Sequence, residues 1–589
     1  MKLIRLALLL ALVVVQPLLI DAQTSRLDSL DEFVKEQMSI RHIRGLSLAV
    51  IQDGRIVVAR GYGVVDEQTG KPVTPTTLFQ AGSISKPVSA LGALHLVEAG
   101  RLSLDGDVNA VLKSWHVPEN AFTAKEKVTL RRILSHNAGL TVHGFPGYDV
   151  SEHMPTLVQV LDGVAPANTA PIRVDTTPGS IWRYSGGGFT VMQQMMIDAS
   201  GEAFPRFMQQ TVLGPIGMTN SSYDQPQPPE RAALTASGYY ADRSPVQGRW
   251  HVYPEMAAAG LWTTPTDLAR FAIEIQEAFA GRGHGVISPA MARQYLTMQF
   301  GGSGLGIGLG GKGKSLIFTH GGRDEGFDAQ LFAFAETGDG VAIMINANDN
   351  SRFMRRIQER VGRLWGWPDQ GKPAEPDRGV PIASQMLARY AGYYEVHENS
   401  MVAMAANHDN TGLETLVDGL PDVTYLPVDS VRFRSREEGM TITFNLDSLG
   451  AVTGVRARIG DRQEELSAAR VAPLLSAQVP LADPDQKLTE RITAALRAIQ
   501  QGGEQLASSP DMCPGTKRDF VGWHSRDLDG LESLTYLGVE NVAGRSIHRH
   551  GADVARVRLY WMNTSAGPRN LLVHLDPNGM VADIDIVQN

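Results

Sequence analysis

The chain has 589 residues, too many for one hydrophobic core, so two to four domains are expected. Hydrophobic residues at 43% and charged residues at 20% are ordinary for a globular protein. A net charge of −9 gives nucleic acid nothing to bind, and a single cysteine, Cys513, excludes an intramolecular disulfide and any cysteine-based zinc cluster.

Residues 1–22 read as a secretory signal: Lys2 and Arg5, a short apolar core from Leu6 to Val15, and a small residue, Ala22, for cleavage. The apolar run is broken at Gln16-Pro17 and is too short for a membrane anchor. The mature chain is expected from Gln23, secreted or periplasmic, with no stable membrane anchor. A helix from Leu27 to about Met38 comes next, then strands Leu46 to Gln52 and Arg55 to Arg60 around an Asp53-Gly54 hairpin turn.

Ser83-Ile84-Ser85-Lys86 follows. Gly82 permits a tight turn, Pro87 is tolerated only in a first helical turn, and Val88, Leu91 and Leu94 recur near helical period towards Gly100. This places Ser83 at a helix N-terminus with Lys86 one turn on, along the same face. Free N–H groups there favour a developing oxyanion, and a neutral amine can take the serine proton. The same letters also suit a plain helix cap with a solvated lysine, so partners elsewhere must decide.

Downstream, His136 in Leu134-Ser135-His136-Asn137 is either catalytic or a loop histidine bonded to backbone, while His143 and His153 lack metal-ligand spacing. Tyr184 stands in a turn before a helix, as a packing aromatic or as the proton-handling group that a Ser/Lys site needs for its leaving group. Trp262 to Leu268 reads as a capped helix start. Gly308 to Ser315 matches a phosphate-loop pattern, but a β-type run, Leu316 to Thr319, follows where a helix is required. A glycine-rich hairpin is expected, and no nucleotide.

His320-Gly321-Gly322-Arg323 then precedes strands Gln330 to Ala335 and Val341 to Asn346. Strands at both ends with helices between them indicate one antiparallel sheet with a helical insertion, an α+β fold spanning 23–368. A proline-rich linker (369–381) leads to a β-rich domain (382–472) and a last α+β region (473–589), which opens with a helix from about Pro484 to Gln501. Leu446 to Val452 and Leu575 to Val581 share a Leu-Asp-x-x-Gly-x-Val spacing, as two similar hairpins or a duplication would. His548-Arg549-His550 is too little for a metal site, and no metal or cofactor is expected.

Ser83-x-x-Lys86, Tyr184-Ser185-Gly186 and His320-Gly321-Gly322, in this order and spacing, resemble the serine β-lactamase/penicillin-binding superfamily. The likeness is to its class C-like branch of D-aminopeptidases, DD-carboxypeptidases and esterases, and spans about Leu27 to Trp365. It implies Ser83 as acylated nucleophile, Lys86 as base, Tyr184 as proton relay and the N–H groups of Ser83 and Arg323 as oxyanion hole, next to Gly322. His320 stands where Lys-Thr-Gly carries lysine. Gly186 and Gly321 replace an asparagine and a threonine that grip β-lactams, so esterase or D-amino-acid peptidase activity on a small-molecule or cell-wall-derived peptide substrate is expected ahead of β-lactamase or DD-carboxypeptidase activity. The alternative of another class is a non-catalytic peptidoglycan- or partner-binding protein. The β-rich domain resembles the lipocalin-like domains fused to such hydrolases.

Overall fold

A computed structural model describes residues 25–349, 351–368, 379–397, 400–417, 419–435, 440–459, 465–501, 506, 508–519, 528, 530–565 and 567–587. The expected signal segment and residues 369–378 of the expected linker lie outside these. Among the described residues no helix is long and apolar enough to cross a membrane. The chain divides into two compact units, Met1–Gln370 and Gly371–Asn589.

In the first unit, β1 (Gly45–Gln52) and β2 (Arg55–Gly63) form the expected hairpin. Asp53 (φ 51°) and Gly54 (φ 70°) both take the left-handed conformation that suits a two-residue turn between twisted strands. Four later strands complete the sheet: β3 (Gly308–Gly310), β4 (Ile317–Asp324), β5 (Phe327–Phe334) and β6 (Gly340–Ile345). Their order is β2-β1-β6-β5-β4-β3, antiparallel throughout. The first and last strands of the sheet thus meet in its middle, with Leu46 opposite Ile345.

Side-chain alternation along these strands builds two cores. Ala49, Ile51, Ala342 and Met344 face the helical insertion, while Leu48, Val50, Val341 and Ile343 face the terminal helices 25–41 and Phe353–Trp365. Helix Ser85–Glu98 runs through the first core with every residue from Ser85 to Leu94 buried. That burial explains why its pattern is apolar all round rather than striped. The glycine-rich stretch is the expected hairpin: β3 pairs with β4, and strand rather than helix follows Lys314-Ser315.

In the second unit, eight strands between Gly392 and Ala472 close into a barrel. Tyr390, stacked on Phe444, and Tyr394, Phe433 and Leu413 share one of its cores. Helix Gln486–Gln501 packs Leu488, Ile492, Leu496 and Ile499 with Tyr560, Leu571 and Val573 of a four-stranded sheet. The two Leu-Asp-x-x-Gly-x-Val segments are hairpin turns of the same construction. Asp447 accepts from the N–H groups of Leu449 and Ala451, and Asp576 from those of Asn578 and Met580.

Candidate active site

Ser83 sits in a short 3-10 turn, Gly82–Ile84, that runs straight into the buried helix. The turn is pinned by Ser85, whose hydroxyl donates to Gly82 O (2.6 Å) and accepts from Leu261 N (3.0 Å). Of the two serines in Ser83-Ile84-Ser85-Lys86, Ser85 is therefore the structural one and Ser83 is only half-buried. Lys86 is 1% exposed, and its Nζ donates to Ser83 Oγ (2.9 Å) and to Ala258 O (2.8 Å). The solvated-lysine reading is excluded.

Two glycines let the edge of the sheet reach this turn. β3 pairs only with Ile317 to Thr319, so residues 320–324 of β4 keep an open edge. Gly82 (φ 50°) lies so close to that edge that a Cβ on it would meet Arg323 N at 2.3 Å. A Cβ on Gly322 would meet Ala81 O at 1.9 Å. No side chain fits at either position.

Tyr184 precedes the helix Gly186–Ser200, whose N-cap Ser185 accepts from Gly188 N. Lys86 Nζ lies 4.9 Å from the Tyr184 ring centroid. Three imidazoles surround that ring: His136 stacked at 4.3 Å, His143 at 4.9 Å and His320 at 6.3 Å. His136 bonds backbone, as the plainer reading of it held: its Nδ1 accepts from Ser185 N at 3.2 Å. Burial, then the Lys86 charge, holds His136 well below the ordinary imidazole value, and the same two causes lower His143. For His320 they lower it to about 4, so it is neutral near pH 7. Its Nδ1 lies 2.6 Å from Gly321 O and must donate there, which leaves Nε2 as an acceptor.

The two glycines expected to redirect specificity differ in kind. At Gly321 a Cβ would meet nothing nearer than Ala329 O at 4.0 Å, so the space for a hydroxyl is open. At Gly186 a Cβ would meet His143 O and the Phe145 ring, each at 3.0 Å. The loop carrying these residues accepts from Gly186 N (His143 O, 2.9 Å) and Gly187 N (Val142 O, 3.0 Å). Val142 holds φ 64° there, a costly conformation for a β-branched residue. The Arg323 guanidinium does not reach for a substrate carboxylate. It is clamped on Asp328, with Nε to Oδ1 at 2.7 Å and Nη2 to Oδ2 at 2.5 Å.

Ser83, Lys86, Tyr184, His320, Gly186, Gly322 and Arg323 thus converge, although they come from three separate stretches of chain. His143 was missed as a neighbour because no motif spacing distinguished it. One buried acid that interacts electrostatically with Lys86, Asp324, was missed because a single carboxylate carries no pattern.

A family model described as Beta-lactamase matches residues 30–363. The chain is similar to penicillin-binding protein 4* of Bacillus subtilis (strain 168), at 21% identity over 453 residues, covering 73% of this chain and 96% of that protein. It is also similar to esterase EstB of Burkholderia gladioli, at 30% identity over 213 residues, 35% of this chain and 53% of the other. Among solved structures, the octameric penicillin-binding protein homologue from Pyrococcus abyssi shares the fold, with a TM-score of 0.51 at 20% identity over 75% of this chain and 99% of that one.

Proposed function

We propose that this chain, which belongs to the beta-lactamase family across residues 30–363, is an exported hydrolase that cleaves ester or amide bonds through an acyl-enzyme on Ser83. The observation that carries the reading is the 2.9 Å contact of Lys86 Nζ with Ser83 Oγ, in a turn pressed against the open edge of β4. Ser83 Oγ attacks the carbonyl and its proton passes to the Lys86–Tyr184 pair. The oxyanion lies between the N–H groups of Ser83 and Arg323, where preorganised donors stabilise developing charge most effectively. Tyr184 returns the proton to the leaving group, and water then releases the acyl group by the reverse sequence.

His320, neutral, offers substrate a hydrogen-bond acceptor rather than a charge. With Arg323 engaged by Asp328 as well, the first unit presents no evident cation for a β-lactam carboxylate at these two positions. The place a side chain on Gly186 would take is occupied by His143 O and the Phe145 ring. Small esters, or amides of D-amino acids, are therefore the preferred substrates, with penicillins and D-Ala-D-Ala ends slower. Labelling with a fluorophosphonate and with a fluorescent penicillin, followed by mass spectrometry of the labelled peptide, tests the reading. Modification at Ser83 in the wild type, and none in Ser83→Ala, is expected; turnover retained by a clean Ser83→Ala preparation overturns it.

A further inference from the structure

Among the described residues the Tyr184 hydroxyl makes no hydrogen bond that would fix it. Its place is set by the backbone on either side of it and by the rings around it. That backbone is laced to residues 136–142: Gly179 N donates to Asn137 O (2.7 Å), Ser185 Oγ to Thr141 O (2.9 Å) and Gly187 N to Val142 O (3.0 Å). The two residues that flank Tyr184 directly share one partner. Arg183 N donates to His136 O (2.7 Å), and Ser185 N donates to His136 Nδ1 (3.2 Å). The same imidazole stacks on the ring of Tyr184 itself, with centroids 4.3 Å apart and planes 29° apart. One residue thus holds three consecutive ones.

His136 is itself firmly seated. It is buried, with φ 57°, a conformation in which asparagine and histidine are commoner than most side chains. His136 N donates to Ile133 O (3.1 Å) and Asn137 N to Arg132 O (2.9 Å), while Ser135 Oγ donates to Arg131 O (2.7 Å) and Asn137 Oδ1 (3.0 Å). Phe189 and Trp182 back its ring, at 5.4 and 6.1 Å. Because Nδ1 accepts, the ring proton stands on Nε2. The other two imidazoles are placed differently. His320 Nδ1 is turned onto Gly321 O, and His143, an exposed residue, reaches Gly186 N through its backbone oxygen. Among the described residues neither of these rings bonds a neighbour of Tyr184.

We propose that His136 is a positioning residue for Tyr184, clamping residues 183–185 so that the phenol stays where it can exchange a proton with Lys86, Ser83 and the leaving group. The proposal rests on the acyl-enzyme reading above. The two flanking hydrogen bonds fix where the Tyr184 backbone stands, and the stack limits how its ring turns. A proton relay works only within hydrogen-bond reach of the atoms it serves, and a misplacement of about 1 Å costs on the order of 10²-fold. His136 acts here through Tyr184 alone, so its loss belongs to proton transfer and not to substrate binding. The loss must therefore appear in kcat rather than KM. It must grow with the basicity of the leaving group, since an alkoxide needs a proton to depart and a nitrophenolate hardly does. It must also disappear once the Tyr184 hydroxyl is gone.

The test is a kinetic cycle on the full-length protein with His136→Asn, Tyr184→Phe and the double variant. Asparagine tolerates φ 57° and offers Oδ1 in place of Nδ1, so His136→Asn deletes the stacked ring and little else. It should lower kcat on p-nitrophenyl acetate by about tenfold, and on ethyl butyrate by more, with each KM within about threefold of wild type. On the Tyr184→Phe background it should change kcat on p-nitrophenyl acetate by less than about twofold. An equal loss on both backgrounds, an equal loss on both esters, or a loss confined to KM overturns the proposal. Should His136→Asn not fold, His136→Phe, which keeps a ring and deletes the acceptor, goes through the same cycle with the same expected and overturning results. Turnover retained by Ser83→Ala sinks the acyl-enzyme reading itself, a separate failure.

Discussion

Ser83, Lys86 and Tyr184 are proposed to handle one proton, so removing any of them disables the same step. Lys86→Ala and Tyr184→Phe should each lower kcat on p-nitrophenyl acetate by a factor on the order of 10²–10⁴, the usual scale of acid–base assistance. The double variant should be little worse than the poorer single one; full multiplication of the two losses in a kinetic cycle would show independent roles. His320 makes a second residue-scale prediction. Held at about 4 rather than at the ordinary 6.5, it resists protonation when folded, so the unfolded chain takes up the proton first. The stability that neutral His320 contributes is present above pH 6.5 and is lost as pH falls towards 4. Thermal melts should show a smaller drop between pH 6.5 and 4 for His320→Gln than for wild type, and equal drops would clear His320 of the effect. Specificity makes a third. Gly321→Thr has room for its side chain and should raise acylation by nitrocefin relative to p-nitrophenyl esters by a few-fold to about tenfold, the worth of one hydrogen bond. Gly186→Asn should not add to it, because His143 O and Phe145 already occupy the first step of that side chain.

At the scale of elements, the site exists because β4 can lie against the Gly82–Ile84 turn. Gly321 and Gly322 are neighbours on that strand with opposite tolerances, which provides an internal control. Gly322→Ala must push the strand off Ala81 O, and overpacking of this kind costs ~1–3 kcal/mol. It should also carry Arg323 N away from Ser83 and lower kcat by 10²-fold or more, by analogy with loss of one oxyanion donor. Gly321→Ala, facing open space, should leave the melting temperature within error. Chemical denaturation and ester turnover on both variants decide the matter; a benign Gly322→Ala would remove the close approach from the argument.

At the scale of the whole molecule, the first unit has two cores of its own, with terminal helices closing one face of the sheet. A fragment of residues 25–368 should therefore fold cooperatively and label at Ser83, as measured by calorimetry and fluorophosphonate reaction; a fragment that is unfolded in isolation would show that the later residues are needed for the fold. Much of that unit was legible in order along the chain. The Asp53-Gly54 turn, the apolar β-type runs from Leu46 and from Val341, and the Thr264 cap are local rules, satisfied by residues a few positions apart. The Ser83, Tyr184 and His320 motifs were legible through their order and spacing along the chain, which carry the resemblance to a known family. Only the tertiary structure decided what each motif meets. It alone set Phe145 against Gly186, turned Arg323 onto Asp328, ringed Tyr184 with three imidazoles and buried Asp324 where it interacts with Lys86. Those contacts join residues separated by up to hundreds of positions, and burial, which sets their protonation, is a property of the packed interior rather than of any stretch of chain.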